Sequence, residues 1–162
     1  MLPILALASV AFLSTAHAPA PAPAAEVVSA EADALRATAL DYIEGYYTGD
    51  GSRMERALHP ELAKRIVYTD GPGQNTLSQM SAMTLVNATR SGYGKNIPEE
   101  KRQKEVTILD VYENAAVVRI VASDWVDYLE MAKWNGSWRI VNVLWELKPE
   151  ARARRAAARE KK

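Results

Sequence analysis

Few side chains in this chain are equipped for chemistry, so the candidates are quickly gathered. There are no cysteines and only two histidines, His17 and His59. A thiolate nucleophile, a disulfide framework and a multi-histidine metal centre are thereby excluded. No G-x-S-x-G, P-loop, dinucleotide fingerprint, H-E-x-x-H or acidic calcium loop occurs. No metal and no cofactor are therefore expected. His59, in the run A-L-H-P, is the one pH-tunable acid or base beyond the N-terminal segment. Hydrogen bonding to carbonyls at a helix end ranks ahead of a catalytic role for it. Tyr42 and Tyr46 lie four apart, which puts them on one face of a helix with a hydroxyl each to offer a cavity. Core packing with a satisfied hydroxyl and ligand contact weigh equally for them.

The remaining candidates come from a register argument. Asn135-Gly136 is flanked by apolar alternation and reads as a two-residue type I′ hairpin turn. Such a turn pairs Trp134 with Ser137, and opposed residues share a face. One face then carries Trp125, Asp127, Leu129 and Met131 with Trp138, Ile140, Asn142 and Leu144. On this register Asn142 lies opposite Leu129, with Asp127 as its diagonal neighbour. A carboxylate and an amide amid apolar side chains could form a pocket floor, with the carboxyl pKa raised by desolvation. The plainer reading puts both near the sheet edge, satisfying backbone groups. Trp125 or Trp138 would be the stacking partner for a flat ligand. The other face carries Val126, Tyr128, Glu130, Trp134, Arg139, Val141, Val143 and Trp145. Glu130 and Arg139 there are expected as a surface ion pair. Neither face is polar enough for solvent, so a homodimer through the sheet is expected.

The elements that position these groups follow from pattern. Residues 29–49 read as an amphipathic helix with Leu35, Ala39, Tyr42, Ile43 and Tyr46 on one face, ended by Gly49-Asp50-Gly51. A short helix over 52–58 stops before Pro60. A strand over 62–68, a loop at Asp70-Gly71-Pro72-Gly73 and a helix over 78–90 follow, then a polar connector over 95–105. From Val106 onward the pattern is strands: 106–112, 115–121, an extended stretch over 123–134, and 137–147, stopped by Pro149. Helices first and an antiparallel meander afterwards predict an α+β fold with helices on one face of a curved sheet.

Charge and composition set the outer limits. The 20 bases and 20 acids balance, giving no global field for nucleic acid or an anionic membrane. Seven bases and two acids fall within residues 148–162, which are expected to be a mobile basic tail. The first 25 residues carry no charged side chain. Their apolar stretch is shorter than the roughly 20 residues a bilayer span needs. Followed by A-x-A patterns, they read as a signal peptide with a Pro/Ala spacer, although no lysine or arginine precedes the apolar stretch. The expected organisation is thus a leader over 1–25, a domain over 26–149 and a tail over 150–162. The location would be periplasmic or secreted, with no stable membrane anchor.

The runs DYIEGYYTGDGSRMERALHPEL, MTLVNATRSG and VTILDVYENAAVVRIVASDWVDYLEMAKWNGSWRIVNVLWELKP resemble the putative lumazine-binding family of the nuclear-transport-factor-2-like, polyketide-cyclase-like superfamily. The resemblance covers about residues 30–149. It implies a cone of three helices on a strongly curved antiparallel sheet, a pocket between them and frequent dimerisation through the sheet. It does not settle activity, because the superfamily contains isomerases, dehydratases, cyclases and non-catalytic binders. Three readings remain open. In the first, an exported binder holds a small, largely apolar or heteroaromatic molecule. In the second, a cofactor-independent isomerase, dehydratase or cyclase uses Asp127 or His59 to move protons, and Tyr42 or Tyr46 polarises a carbonyl. In the third, a dimerisation module has its pocket filled by its own side chains. The binder ranks first.

Overall fold

The computed structural model describes residues 24–69 and 73–159. The expected leader, apart from its last two residues, and most of the loop at 70–73 lie outside the described residues. Helix α1 (Ala24–Thr48) runs along the inner face of the sheet and buries Leu35, Ala39, Tyr42, Ile43 and Tyr47. Gly49 ends it in the left-handed conformation, φ 72°. Asp50 then caps helix α2 (Gly51–Ala57), its carboxylate accepting from the N–H groups of Ser52 and Arg53 at 3.0 Å each. Arg53 bonds Asp41 at 2.9 Å and Glu44 at 2.7 Å, pinning α2 to α1.

The chain turns directly from α2 into strand β1 (Leu58–Thr69), which pairs antiparallel with β2 (Asn75–Ser81). The helix expected over 78–90 thus begins only at α3 (Ala82–Arg90). Residues 78–81 are instead the end of a strand, Ser78 opposite Ile66 and Ser81 opposite Ala63. Ser81 marks the switch: its hydroxyl accepts from the Thr84 N–H at 3.2 Å, an N-cap inside what read as one apolar period. Two single-turn 3₁₀ segments (Tyr93–Asn96 and Glu99–Lys101) lead to the meander. A Cβ on Gly94 would meet the Tyr46 carbonyl oxygen at 2.1 Å, so only glycine lets this turn sit against α1.

The meander comprises β3 (Lys104–Tyr112), β4 (Ala115–Ala122), β5 (Trp125–Trp134) and β6 (Ser137–Leu147). Asn135 and Gly136 both have positive φ, 49° and 78°, as the I′ turn requires. The curved, open sheet has the order β2-β1-β6-β5-β4-β3. Every pair is antiparallel except β1 with β6, which is parallel. The expected all-antiparallel sheet is corrected on that point, because the chain leaves the β1–β2 hairpin through α3 and the meander's last strand, β6, comes back beside β1 in the same direction. Helix α4 (Pro149–Arg159) follows β6 in the segment expected as a tail. Its Ala151 is buried, Arg152 bonds Glu146 and Arg154 bonds Asp124.

One irregularity decides which side chains face inward. Pairing near the hairpin follows the expected register, Met131 opposite Ile140, but the next pair is Glu130 opposite Asn142. Val141 is the extra residue of a β-bulge. Because side chains alternate with a period of two, one inserted residue exchanges the faces of everything beyond it. Val143 and Trp145, expected outside, therefore face Leu129 and Asp127, whereas Asn142 and Leu144 turn outward with Glu130 and Tyr128. The proposed Asp127–Asn142 floor does not form. Nor does the Glu130–Arg139 pair: Arg139 stays opposite Ala132 as expected, but beyond the bulge Glu130 lies opposite Asn142, and no ion pair joins the two side chains.

Candidate functional site

Between α1, α3, α4 and the inner face of the sheet lies a cavity of about 380 Å³. That size falls within the range of small-molecule sites. Tyr42 and Tyr46 of α1 form one side, and Lys64 and Ile66 of β1 with Trp125 and Trp145 of β5 and β6 form the floor. Met80, Leu85, Ala88 and Tyr93 close the opposite side, with Ser78 from β2, and Arg155 of α4 stands over it.

The chemistry concentrates at the floor. Lys64 is 4% exposed and Asp127 is fully buried. Alternation along β1 puts Lys64 on the same side as Leu62 and Ile66, which is why a lysine points inward here. Its Nζ lies 2.5 Å from Asp127 Oδ1 and donates to the Tyr42 hydroxyl at 2.6 Å. Tyr42 in turn donates to Asp127 Oδ2 at 3.2 Å, and the Trp125 indole N–H donates to the same oxygen at 2.6 Å. Asp127 is thus held by three donors from three elements, the way a buried carboxylate must be. The Lys64 cation also faces three aromatic rings, with Trp145 at 4.8 Å, Tyr42 at 5.3 Å and Trp125 at 5.9 Å from centroid.

Burial shifts the two titratable neighbours in opposite senses. For Lys64 desolvation lowers the pKa and outweighs the opposing Asp127 carboxylate. For Tyr42 desolvation, reinforced by Asp127, holds the phenol well above its ordinary value, so it stays a proton donor. Burial also raises Tyr46, opposed by the nearby Arg155 charge. The Tyr46 hydroxyl has no hydrogen-bond partner among the described residues, and Arg155 has no ion-pair partner among them. The Trp145 indole nitrogen is buried and unpartnered as well.

The candidates named from sequence are distributed unevenly. Tyr42, Tyr46 and Trp125 line the cavity, and Asp127 lies directly behind its floor. His59 is not brought there: its ring packs edge-on against Trp134 at 4.8 Å and its Nδ1 accepts from the Glu61 N–H. Trp138 is buried at the other end of the inner face, donating to Glu31 at 2.7 Å. Asn142 stands on the outer face, where its side-chain oxygen accepts from Arg65 at 2.6 Å. Sequence reading missed Lys64 and Trp145. Alternation of Leu62, Lys64 and Ile66 carried a signal for Lys64, whereas Trp145 was hidden by the bulge. Tyr47, rather than Tyr46, is the fully packed tyrosine, its hydroxyl donating to the Gln103 carbonyl at 2.7 Å. Among the described residues no group of three acidic or histidine side chains could hold a metal ion.

Comparison with known proteins places the architecture. Three solved structures of NTF2-like proteins of unknown function are similar to the chain. The one from Shewanella baltica is 21% identical, with a TM-score of 0.61, covering 75% of this chain and 96% of that one. The one from Silicibacter pomeroyi is 19% identical, with a TM-score of 0.59, covering 75% and 98%. The one from Methylobacillus flagellatus is 19% identical, with a TM-score of 0.57, covering 74% and 93%. No curated protein matches. The sequence model of one family, described as putative lumazine-binding, matches residues 30–146, which include every strand but for the last residue of β6 and all the cavity walls but α4. On that match the chain belongs to the putative lumazine-binding family, and its fold is NTF2-like.

Proposed function

We propose that this protein is an exported small-molecule-binding protein whose cavity takes a flat, largely apolar molecule carrying hydrogen-bond acceptors and an anionic group. The observation that carries this reading is the wall itself. It combines the aromatic rings of Tyr46, Trp125 and Trp145 with a buried cation at Lys64 and with Arg155, a cation without an ion-pair partner among the described residues. Rings offer stacking area, and the Tyr46 hydroxyl, without a hydrogen-bond partner among the described residues, offers orientation. The family description points the same way, to a small heteroaromatic ligand.

Binding ranks above isomerase-like catalysis because neither sequence-named base faces a ligand directly. Asp127 already accepts from three donors, and His59 packs on Trp134 outside the cavity. A second copy of the chain covering the outer sheet face completes the proposal. Tyr128 and Leu144, adjacent there, are 45% and 52% exposed, and the nearby Arg119 Nε is buried without a partner. Export rests on the apolar, charge-free first 25 residues. Among the described residues no helix is long and apolar enough to cross a membrane.

Native mass spectrometry of the full chain, purified from a periplasmic fraction, is the test. A dimer of shortened chains with a reproducible bound mass is expected. A ligand-free chain whose tryptophan fluorescence is not quenched by lumazine or by other flat carboxylated aromatics would overturn the binding reading. A monomer would overturn the sheet-face dimer, and an intact N-terminus in the cytosolic fraction would overturn export.

A further inference from the structure

Lys64 is unusual in its setting. Of the described residues lining the cavity it is the only primary amine. Its partners occupy two of its three N–H directions, Asp127 at 2.5 Å and Tyr42 at 2.6 Å. The third has no acceptor among the described residues, and Nζ lies 4.8 Å from the centroid of the Trp145 ring, which is itself cavity wall. A buried ion pair sealed in a core would have no route to a ligand, but here Lys64 is part of the floor of a space large enough for a small molecule, with Asp127 directly behind it. We propose that Lys64 captures a carbonyl compound as an imine, the ligand class being an aldehyde or ketone that carries a carboxylate within reach of Arg155. This deepens the binding reading above and rests on it.

The step balances without any co-reactant. The Lys64 ammonium passes a proton to the Asp127 carboxylate, and the freed nitrogen pair attacks the carbonyl carbon. The C–O π pair moves to oxygen, and the attacking nitrogen, now cationic, sheds a proton that Tyr42, 2.6 Å from Nζ, relays to that oxygen, so the neutral carbinolamine forms while Asp127 keeps its proton. The carbinolamine then loses its hydroxyl as water with the proton returned from Asp127, leaving a protonated imine. The sum is ammonium plus carbonyl giving iminium plus water. Charge is therefore the same at the same place before and after, beside the same carboxylate and the same three rings. A site built to hold the ammonium already holds the product cation. Tyr42, kept as a neutral phenol by burial and by Asp127, is able to relay the proton. The lowered affinity of Lys64 for its proton favours the free amine that attacks.

The experiment treats the full chain with 4-carboxybenzaldehyde and sodium cyanoborohydride, which traps an imine as a stable secondary amine. Peptide mass mapping then locates the adduct. Labelling is expected first at Lys64, before exposed Lys104 is modified, since Lys64 lines the cavity that holds the aldehyde and burial favours its free amine. Lys64→Arg keeps a cation beside Asp127 but lacks a primary amine, and should retain the fold and lose the adduct. Should that variant fail to fold, Tyr42→Phe replaces it: labelling at Lys64 should persist but slow, because only the relay is gone. Tryptophan quenching by the aldehyde without reductant is read in parallel. Quenching with Lys64 labelled no faster than Lys104 overturns the imine and leaves the binding site standing. Neither quenching nor labelling overturns both.

Discussion

The inner face of the sheet carries the same chemical trio twice, once at each end. At the cavity end a carboxylate, Asp127, accepts from Lys64 and from the indole N–H of Trp125. At the far end a carboxylate, Glu31, accepts from Lys133 and from the indole N–H of Trp138. The bonding is nearly identical; the surroundings are not. The side chains of Glu31 and Lys133 are 31% and 33% exposed, and those of Asp127 and Lys64 are 0% and 5%. Water screens the first pair, so it serves as a strap from α1 to the hairpin. The second pair has no such screening, so its desolvation must be met by Tyr42 and the surrounding rings. Burial, not residue type, makes one trio a fastening and the other a candidate site.

That contrast is open to attack in order of size. Asp127→Ala strands the Lys64 charge in an apolar wall, and should lower the unfolding free energy by about 3–5 kcal/mol in a urea titration. The double replacement Lys64→Met with Asp127→Leu should recover most of that loss, because a dry apolar pair needs no compensation. If the double variant is as unstable as the single one, the pair is held for more than its mutual charge. Tyr42→Phe removes a hydroxyl bonded to both charged partners, and should cost about 1.5–3 kcal/mol in the same titration.

The pH dependence sharpens the comparison further. Burial raises Tyr42, so the folded chain keeps a phenolic proton that the unfolded chain releases above about pH 10. Its contribution is whole below that pH and drains as pH rises toward the folded value. Lys64 runs the other way: its lowered pKa lets the unfolded chain take up a proton first as pH falls below about 10.4. Stability is lost from there down to the folded value. Urea midpoints followed across the alkaline range should therefore bend downward at the top, and Tyr42→Phe should flatten that bend. Glu31 is held below the usual carboxylate range by Lys133 first and Trp138 second. Its contribution is present above the ordinary glutamate value and is lost in acid. Being solvent-screened, Glu31→Gln should leave the neutral-pH melting curve almost unmoved, the smallest effect of the set. A large shift there would mean that the two ends are not distinguished by burial.

Most of the element order was readable from one-dimensional pattern. The period of Leu35, Ala39, Tyr42 and Ile43 defined α1, and Asn135-Gly136 defined the hairpin, because helix faces and I′ turns are local matters of spacing and φ. Ser78–Ser81 was misread because Met80 and Met83 fit a helical period, while the competing signal, the cap at Ser81, is a single side chain. The site was only half legible. Tyr42, Tyr46, Trp125 and Asp127 were named from faces that no long-range pairing disturbs. Asn142 and Trp145 were exchanged by the bulge at Val141, an extra residue that leaves no mark in the hydrophobic pattern because Ile140, Val141 and Val143 are all apolar and β-branched, so either alternation reads as a buried face.

The sequence by itself therefore determined the local structures and the absence of cysteine and multi-histidine chemistry. It also determined that the last strands carry apolar residues on both faces. Only the tertiary structure decided which of those faces is the floor of a cavity, and that Lys64 lies on it. A lysine on a strand is indifferent between water and interior until a carboxylate, a phenol and three rings are assembled around it. Those groups come from α1, β5 and β6, and their convergence depends on the parallel docking of β1 along β6, a pairing that no period within either strand encodes.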